Sequence, residues 1–454
     1  MKGRLSLLYF LQFAVWGCYL SCFGQLLGAG GLGTDIQWFY AAVGLVSLIT
    51  PPLLGHFADR FVPSVWLLGL CHLSASIMMF GAWFYALSHS QFSFAIFFPL
   101  YLGFLAFYMP TMALANTTTF ALLKRQGLQP VDQFPSIRVW GTLGFVAAMW
   151  FVNSAYVYKG TFGFTLNDMN PAAPFRFQYT SMQLLASSIM GLVTAIYTFT
   201  LPVTNVPHGN SSSSLKDIFA FNSFKLFKKK EVRVFLIFAI FTGVCLQISN
   251  GYAIPFINHF MAFKEYAGSF AAGNATFLFS LSQLSEAAFI LITGIAMKKF
   301  GFRIVIFYAL IAWCLRFLFL GIGNPGNGLV WLILSMLIYG IAFNFFNIAG
   351  HIYMDQKSDP TTKGFGQGLL MMMSNGIGAT GGMVAAGAIV NHFCQWEMIP
   401  SASGSGVMRL FMGNWLIPWL IFAGYALIVG ILFLCFYRNW SKRSKQENGS
   451  IAIP

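Results

Sequence analysis

Stretches of about 18 or more residues, each almost free of charge, recur from Leu5 to Tyr437, and no other feature limits the fold so severely. Coiled as an α-helix, each is long enough to cross the ~30 Å hydrocarbon layer of a bilayer. In that layer water cannot satisfy backbone N–H and C=O groups, so a spanning segment must bond to itself. Hydrophobic residues make up 57% of the chain and charged ones 8%, with a mean hydropathy of +0.70. A soluble domain has roughly a quarter of its residues charged, so a water-surrounded core could not absorb this much apolar surface. The expected fold class is an all-α membrane protein.

The apolar runs predict spans over 5–27, 36–57, 63–87, 92–117, 137–158 and 179–202, then 233–258, 271–297, 302–322, 328–352, 364–392 and 411–437. A polar stretch from Val203 to Lys230, with Pro207, Gly209 and the Ser211 to Ser214 tract, cannot stay in hydrocarbon and reads as a linker. The expected organisation is a bundle of six helices in 1–203, a linker in 204–232, and a second bundle of six with a short tail in 233–454. The first span follows Met1, Lys2, Gly3 and Arg4 without a small-residue cleavage site, so it reads as a retained helix.

A net charge of +14 could indicate a nucleic-acid partner, but the positions of the basic residues decide otherwise. Lys2, Arg4, Arg60, Lys124, Arg125, the Lys225 to Arg233 cluster, Lys298, Lys299, Arg303, Lys357, Lys363 and the Arg438 to Lys445 tail fall in alternate loops. The opposite loops hold only Lys159, Arg176, Lys264 and Arg409. This asymmetry is the positive-inside pattern, which puts both termini in the cytoplasm and leaves nucleic acid without a role. Six of the seven cysteines lie in apolar spans, where a thiol acts as a small hydrophobe, and no metal-ligand or disulfide spacing is readable. No cofactor is expected.

Ionisable groups inside spans are costly in lipid and must face a partner or a wet cavity, so they point to function. Arg138, Glu286 and Arg316 are the clear cases. Arg138, Thr142 and Phe145 follow i, i+4, i+7 spacing, so guanidinium, hydroxyl and ring share one helical face. Against this, an arginine in a first helical turn can snorkel to the interface. Glu286 lies near the middle of its span with Gln283 one turn before it; desolvation disfavours a bare carboxylate there, which makes Glu286 a candidate proton carrier. A structural ion pair is the alternative. Gln247 and Asn250 are three apart in the seventh span, and Tyr339 and Phe343 share a face of the tenth, with Asn344, Asn347 and His351 on a second stripe. Arg316 has no polar companion on its own helix and reads as a structural pair or a snorkelling residue. Gln12, Trp16 and Tyr19, and Tyr108, Thr111 and Asn116, are further cavity candidates, or else interhelical glue. Gly376 to Gly382, and Gly141 with Gly144, read as close helix-packing seams. Nothing resembles a phosphate-binding loop, so ATP-driven pumping is not expected. Nor do paired carboxylates, metal-spaced histidines or a Ser/His arrangement within a span suggest an enzyme.

Between the second and third spans, Gly55, Asp59 and Arg60 resemble the Gly, three residues, Asp, Arg loop motif of the major facilitator superfamily. In that superfamily two six-helix halves rock about a midplane site, and the resemblance gives this motif a gating role. More specific are Phe134-Pro135-Ser136-Ile137-Arg138-Val139-Trp140-Gly141-Thr142, Leu246-Gln247-Ile248-Ser249-Asn250, Ser282-Gln283-Leu284-Ser285-Glu286 and Tyr339-Gly340-Ile341-Ala342-Phe343, together with Leu11-Gln12-Phe13, Trp16-Gly17 and Tyr108-Met109-Pro110-Thr111. In these runs, over nearly its whole length, the chain resembles the nucleoside:proton symporters of that superfamily. The resemblance implies that Arg138, Thr142, Phe145, Gln247, Asn250, Gln283, Glu286, Tyr339 and Phe343 form a nucleoside site, with Asn344 as a further candidate beside them, and that protons are the coupling ion; short loops fit a bacterial inner membrane, and a monomer is expected. Amides and guanidinium would read a base edge, aromatic faces stack it, and Glu286 hold ribose hydroxyls. One departure stands out: Asn344 occupies a position where such symporters carry an aspartate, and an amide cannot titrate. Proton coupling then rests on Glu286 or another route, or the protein is an uncoupled facilitator. A sugar or another small polar metabolite would use similar groups.

Overall fold

The computed structural model describes residues 1–203, 228–266, 268–357, 368–400 and 407–437. It is predominantly helical, and each expected span overlaps helix. The first is α1 (Lys2–Gly17), which continues after a turn as α2 (Phe23–Ala29). Then come α3 (Ile36–Arg60), α4 (Ser64–Ser88), α5 (Phe94–Arg125), α6 (Pro130–Ser154), α7 (Met182–Phe199) and α8 (Lys230–His259). Helix Ala275–Ile322 is interrupted at Gly301, whose φ of 76° lies where a Cβ is strained, and this divides it into α9 (275–300) and α10 (302–322). After α11 (Leu329–Lys357), a π-helical segment Met372–Gly378 leads into α12 (Ala379–Phe393), and α13 (Leu416–Phe436) follows. Among the described residues, nine helices are long and apolar enough to cross a membrane, and Ala275–Ile290 is a shorter apolar helix. Large apolar side chains such as Ile77, Phe84, Ile196, Ile295, Ile428 and Phe436 point outward, as lipid-facing surfaces do.

Two expectations about ends need correction. The stretch 155–158, expected as helix, is strand β1 (Ala155–Tyr158), paired antiparallel with β2 (Thr161–Phe164). The start of the last expected span is likewise strand: β3 (Cys394–Pro400) pairs with β4 (Val407–Gly413) before α13 begins. Apolar alternation in a loop resembles the edge of a span when only hydropathy is read. Both hairpins lie at the same end of the bundle, together with α2, where Gln25 Nε2 donates to the Arg409 carbonyl at 2.5 Å and Phe92 N to the Gly30 carbonyl at 2.7 Å. This is the hairpin end; Lys124, Arg125, Lys298, Lys299 and Lys357 mark the opposite, basic end.

Glycines set the closest helix approaches. A Cβ on Gly144 would lie 2.0 Å from the Phe10 carbonyl oxygen, and one on Gly17 2.3 Å from that of Phe145, so α1 and α6 are in backbone contact. Gly243 on α8 and Gly378 in the π segment meet reciprocally: a Cβ on either would fall about 2 Å from a backbone oxygen opposite, Ser374 or Ile240. Both glycine runs are the packing seams that the sequence suggests. α1 packs on α6 and α7, and α4 on α5 and α7; α9 and α10 pack on α11, and α8 on α12. Helices from opposite halves of the chain meet where α12 packs on α3 and the 275–322 helix on α6.

Candidate functional site

Arg138 enters from α6 with its guanidinium carbon 4.0 Å over the Phe13 ring of α1, a cation–π seat that fixes its direction. It is half-buried and within electrostatic range of Glu286 on α9, yet the two do not form an ion pair within 4.0 Å. The guanidinium, seated on Phe13, also lies within electrostatic range of Tyr9 and Tyr108. Glu286 is also half-buried, and its carboxylate has no ion-pair partner within 4.0 Å among the described residues. Two opposite charges from distant parts of the chain therefore lie within electrostatic range of each other without a direct ion pair.

Around Glu286 stands the second group of expected residues. Tyr339, buried to 3% exposure, lies close to Gln283 and Glu286 and stacks on Phe343 with centroids 5.6 Å apart and planes 10° from parallel. Asn250 Nδ2 donates to Gln247 Oε1 at 3.3 Å, so these amides orient each other. Phe343 shares a small cavity with Thr242, Leu246, Trp313 and Asn347. Arg138, Asn250, Gln283, Glu286 and Phe343 are half-buried, whereas Thr142, Phe145 and Gln247 are buried at 6–7% exposure.

Other expected residues are placed differently. Asn344 is buried and donates to the backbone carbonyl of Glu286 at 2.6 Å, so its amide braces α11 against α9. Arg316 is fully buried, not snorkelling, and has no acid partner within 4.0 Å among the described residues; hydroxyls and a carbonyl hold it instead. Gln12, Tyr108, Thr111 and Asn116 are spent between α1 and α5: Tyr108 donates to the Gln12 carbonyl at 2.7 Å and Tyr9 to Asn116 Oδ1 at 2.5 Å. Gly55, Asp59 and Arg60 fall in the last two turns of α3 and not in a loop, and their side chains lie outside the described residues.

Sequence reasoning missed a polar seam at the hairpin end. Arg176 and Asp168, in the α6–α7 connection, form a buried ion pair. Burial pushes the Asp168 carboxyl up from its ordinary value, and the Arg176 charge opposes that shift. The seam then reaches across to the single helical turn Phe270–Gly273 that precedes α9. The Gly273 carbonyl accepts from Arg176 Nη2 at 3.0 Å, Gln178 Nε2 at 3.2 Å and Tyr179 Oη at 2.8 Å, while Asn274 Oδ1 accepts from Arg176 Nη1 at 2.8 Å and Asn153 Nδ2 at 2.7 Å. Trp150 Nε1 to Ser280 Oγ at 2.8 Å extends it downward. An Asp and an Arg eight apart in one weakly charged loop were the available signal; the glycine carbonyl left none.

The description "nucleoside H+ symporter" matches residues 1–442. The chain belongs to this family of transporters. Xanthosine permease of Escherichia coli K12 is 34% identical over 95% of this chain and 94% of that protein. Nucleoside permease NupG of the same organism is 31% identical over 96% of both. The crystal structure of nucleoside transporter NupG superposes with a TM-score of 0.80, covering 96% of this chain and 99% of that one. The fold is thus the major facilitator type expected, and the protein is a multi-pass membrane transporter.

Proposed function

We propose that the protein imports nucleosides across the cytoplasmic membrane by alternating access, driven by protons moving inward. The observation that carries this reading is that Arg138 on α6 and Glu286 on α9 lie within electrostatic range of each other yet form no ion pair within 4.0 Å. In hydrocarbon, opposite charges left unpaired within range of each other are stable only if they border a wet chamber that a polar solute can enter. The Arg138 fork and the Gln247, Asn250 and Gln283 amides supply donors and acceptors for a base edge, Phe343 and Phe145 stack it, Tyr339 and Thr142 add hydroxyls, and Glu286 accepts from ribose. Names of the relatives, a xanthosine and a nucleoside permease, support this cargo.

Residues 1–203 and 233–454 are the two moving bundles in this reading, with 204–232 joining them, both termini cytoplasmic and the monomer as working unit. The hairpin-end seam between the halves is the shut outer gate, and Gly55, Asp59 and Arg60 belong to the inner one. Glu286 is the proton carrier. An uncoupled facilitator is the second reading, favoured by Asn344, whose amide cannot titrate and is committed to a backbone carbonyl. Uptake of labelled uridine, adenosine and xanthosine into proteoliposomes, with and without an inward proton gradient, tests both. Absence of saturable uptake of every nucleoside contradicts the cargo, and uptake indifferent to the gradient contradicts the coupling.

A further inference from the structure

Arg316 is the most deeply buried cation among the described spans, and its setting is unusual. It is 0% exposed and has no carboxylate within 4.0 Å among the described residues. Its Nε and Nη2 both donate to Ser249 Oγ, at 3.0 and 2.7 Å, while Nη1 donates to the Ser335 carbonyl at 2.8 Å and to Ser282 Oγ at 3.2 Å. Ser335 Oγ returns a bond to the Arg316 carbonyl at 2.9 Å. One side chain from α10 therefore ties α8, α9 and α11 together.

The three tie points fall beside candidate site residues. Ser249 stands between Gln247 and Asn250, Ser282 directly precedes Gln283, and Ser335 is one turn before Tyr339. The guanidinium carbon also lies 4.6 Å over the Tyr339 ring, whose neighbour in the stack is Phe343. Serine hydroxyls alone could glue these helices together, as small polar residues commonly do in membranes, without the burden of a buried charge. The charge is accounted for by the aromatic face it holds and by the fork that reaches three helices from one plane, which a lysine ammonium cannot do.

We propose that Arg316 is a positioning residue for the substrate site: it sets the Tyr339 ring, and through it Phe343, and keeps the site-bearing turns of α8, α9 and α11 in register. This rests on the site assigned above. The test is a double-mutant cycle of Arg316→Lys and Tyr339→Ala, with nucleoside affinity and turnover both normalised to correctly folded transporter. Arg316→Lys alone is expected to raise the half-saturation concentration at least tenfold, and by less than threefold in the Tyr339→Ala background. Equal losses in both backgrounds, or a fall only in folded yield with affinity unchanged, overturn the proposal. A solute-independent arm places 3-fluorotyrosine at position 339. One sharp fluorine signal is expected in the parent, and a split or broadened one in Arg316→Lys; an unchanged single signal also overturns it. If the parent protein binds no nucleoside, the substrate reading fails, while the fluorine signal still decides the role of Arg316.

Discussion

Replacing Gly273 by alanine should unlock the hairpin end. A Cβ at this position would lie 1.3 Å from Asp168 Oδ2 and 1.8 Å from its Cγ, whereas ordinary contact starts at 3.4 Å. The difference, 3.4 minus 1.3, requires a separation of about 2 Å. The carboxylate cannot swing away freely, because it is buried and paired with Arg176. A 2 Å shift breaks the three hydrogen bonds that converge on the Gly273 carbonyl. At about 0.5–1.5 kcal/mol net each, loss of all three weakens the closed seam by roughly 1.5–4.5 kcal/mol. With 1.4 kcal/mol per factor of ten, the open-to-closed ratio at this end rises roughly 10- to 1,600-fold. Spin labels on the two hairpins, at exposed Phe162 and Met398, report the opening as a distance distribution from pulsed electron resonance. A longer-distance population in Gly273→Ala, together with slower net uptake, is expected. A distribution identical to the parent, with unchanged uptake, would refute the claim that this seam is a gate.

Further predictions concern the chamber. Glu286→Gln keeps a hydrogen-bonding group of similar shape but cannot carry a proton, so gradient-driven accumulation should disappear while nucleoside counterflow persists; accumulation at the parental level contradicts the carrier role. Arg138→Lys loses the fork that reads a base edge, an effect of about 1–3 kcal/mol, or roughly 5- to 150-fold in affinity measured by competition uptake; an unchanged affinity removes Arg138 from the site. Asn344→Asp removes the N–H given to the Glu286 carbonyl and sets one acceptor against another unless the new acid is protonated. Uptake by this variant should therefore become more acid-dependent than that of the parent, and superimposable pH profiles would contradict the argument.

The helical membrane fold was legible because lipid imposes a simple rule on composition and length, and because basic residues mark alternate loops. Arg138, Glu286 and Arg316 stand out in the sequence for a related reason: groups that hydrocarbon rejects need a partner or a wet cavity. What the sequence concealed depends on three-dimensional partners. Spacing does not distinguish the Asn344 amide, committed to a carbonyl on α9, from the accessible Asn250 amide, since both stand on polar stripes. Arg316 looked solitary because its partners are serines on three other helices. The hairpins escaped notice because β1 continues the apolar pattern of α6 without a polar break, and the hairpin-end polar seam because its main acceptor is a backbone carbonyl.

A nucleoside-bound structure measures the central claim most directly. The account predicts the solute between α6 and α9, within hydrogen-bonding distance of both Arg138 and Glu286 and with its base against Phe343. A nucleoside bound elsewhere, touching neither charge, would contradict it.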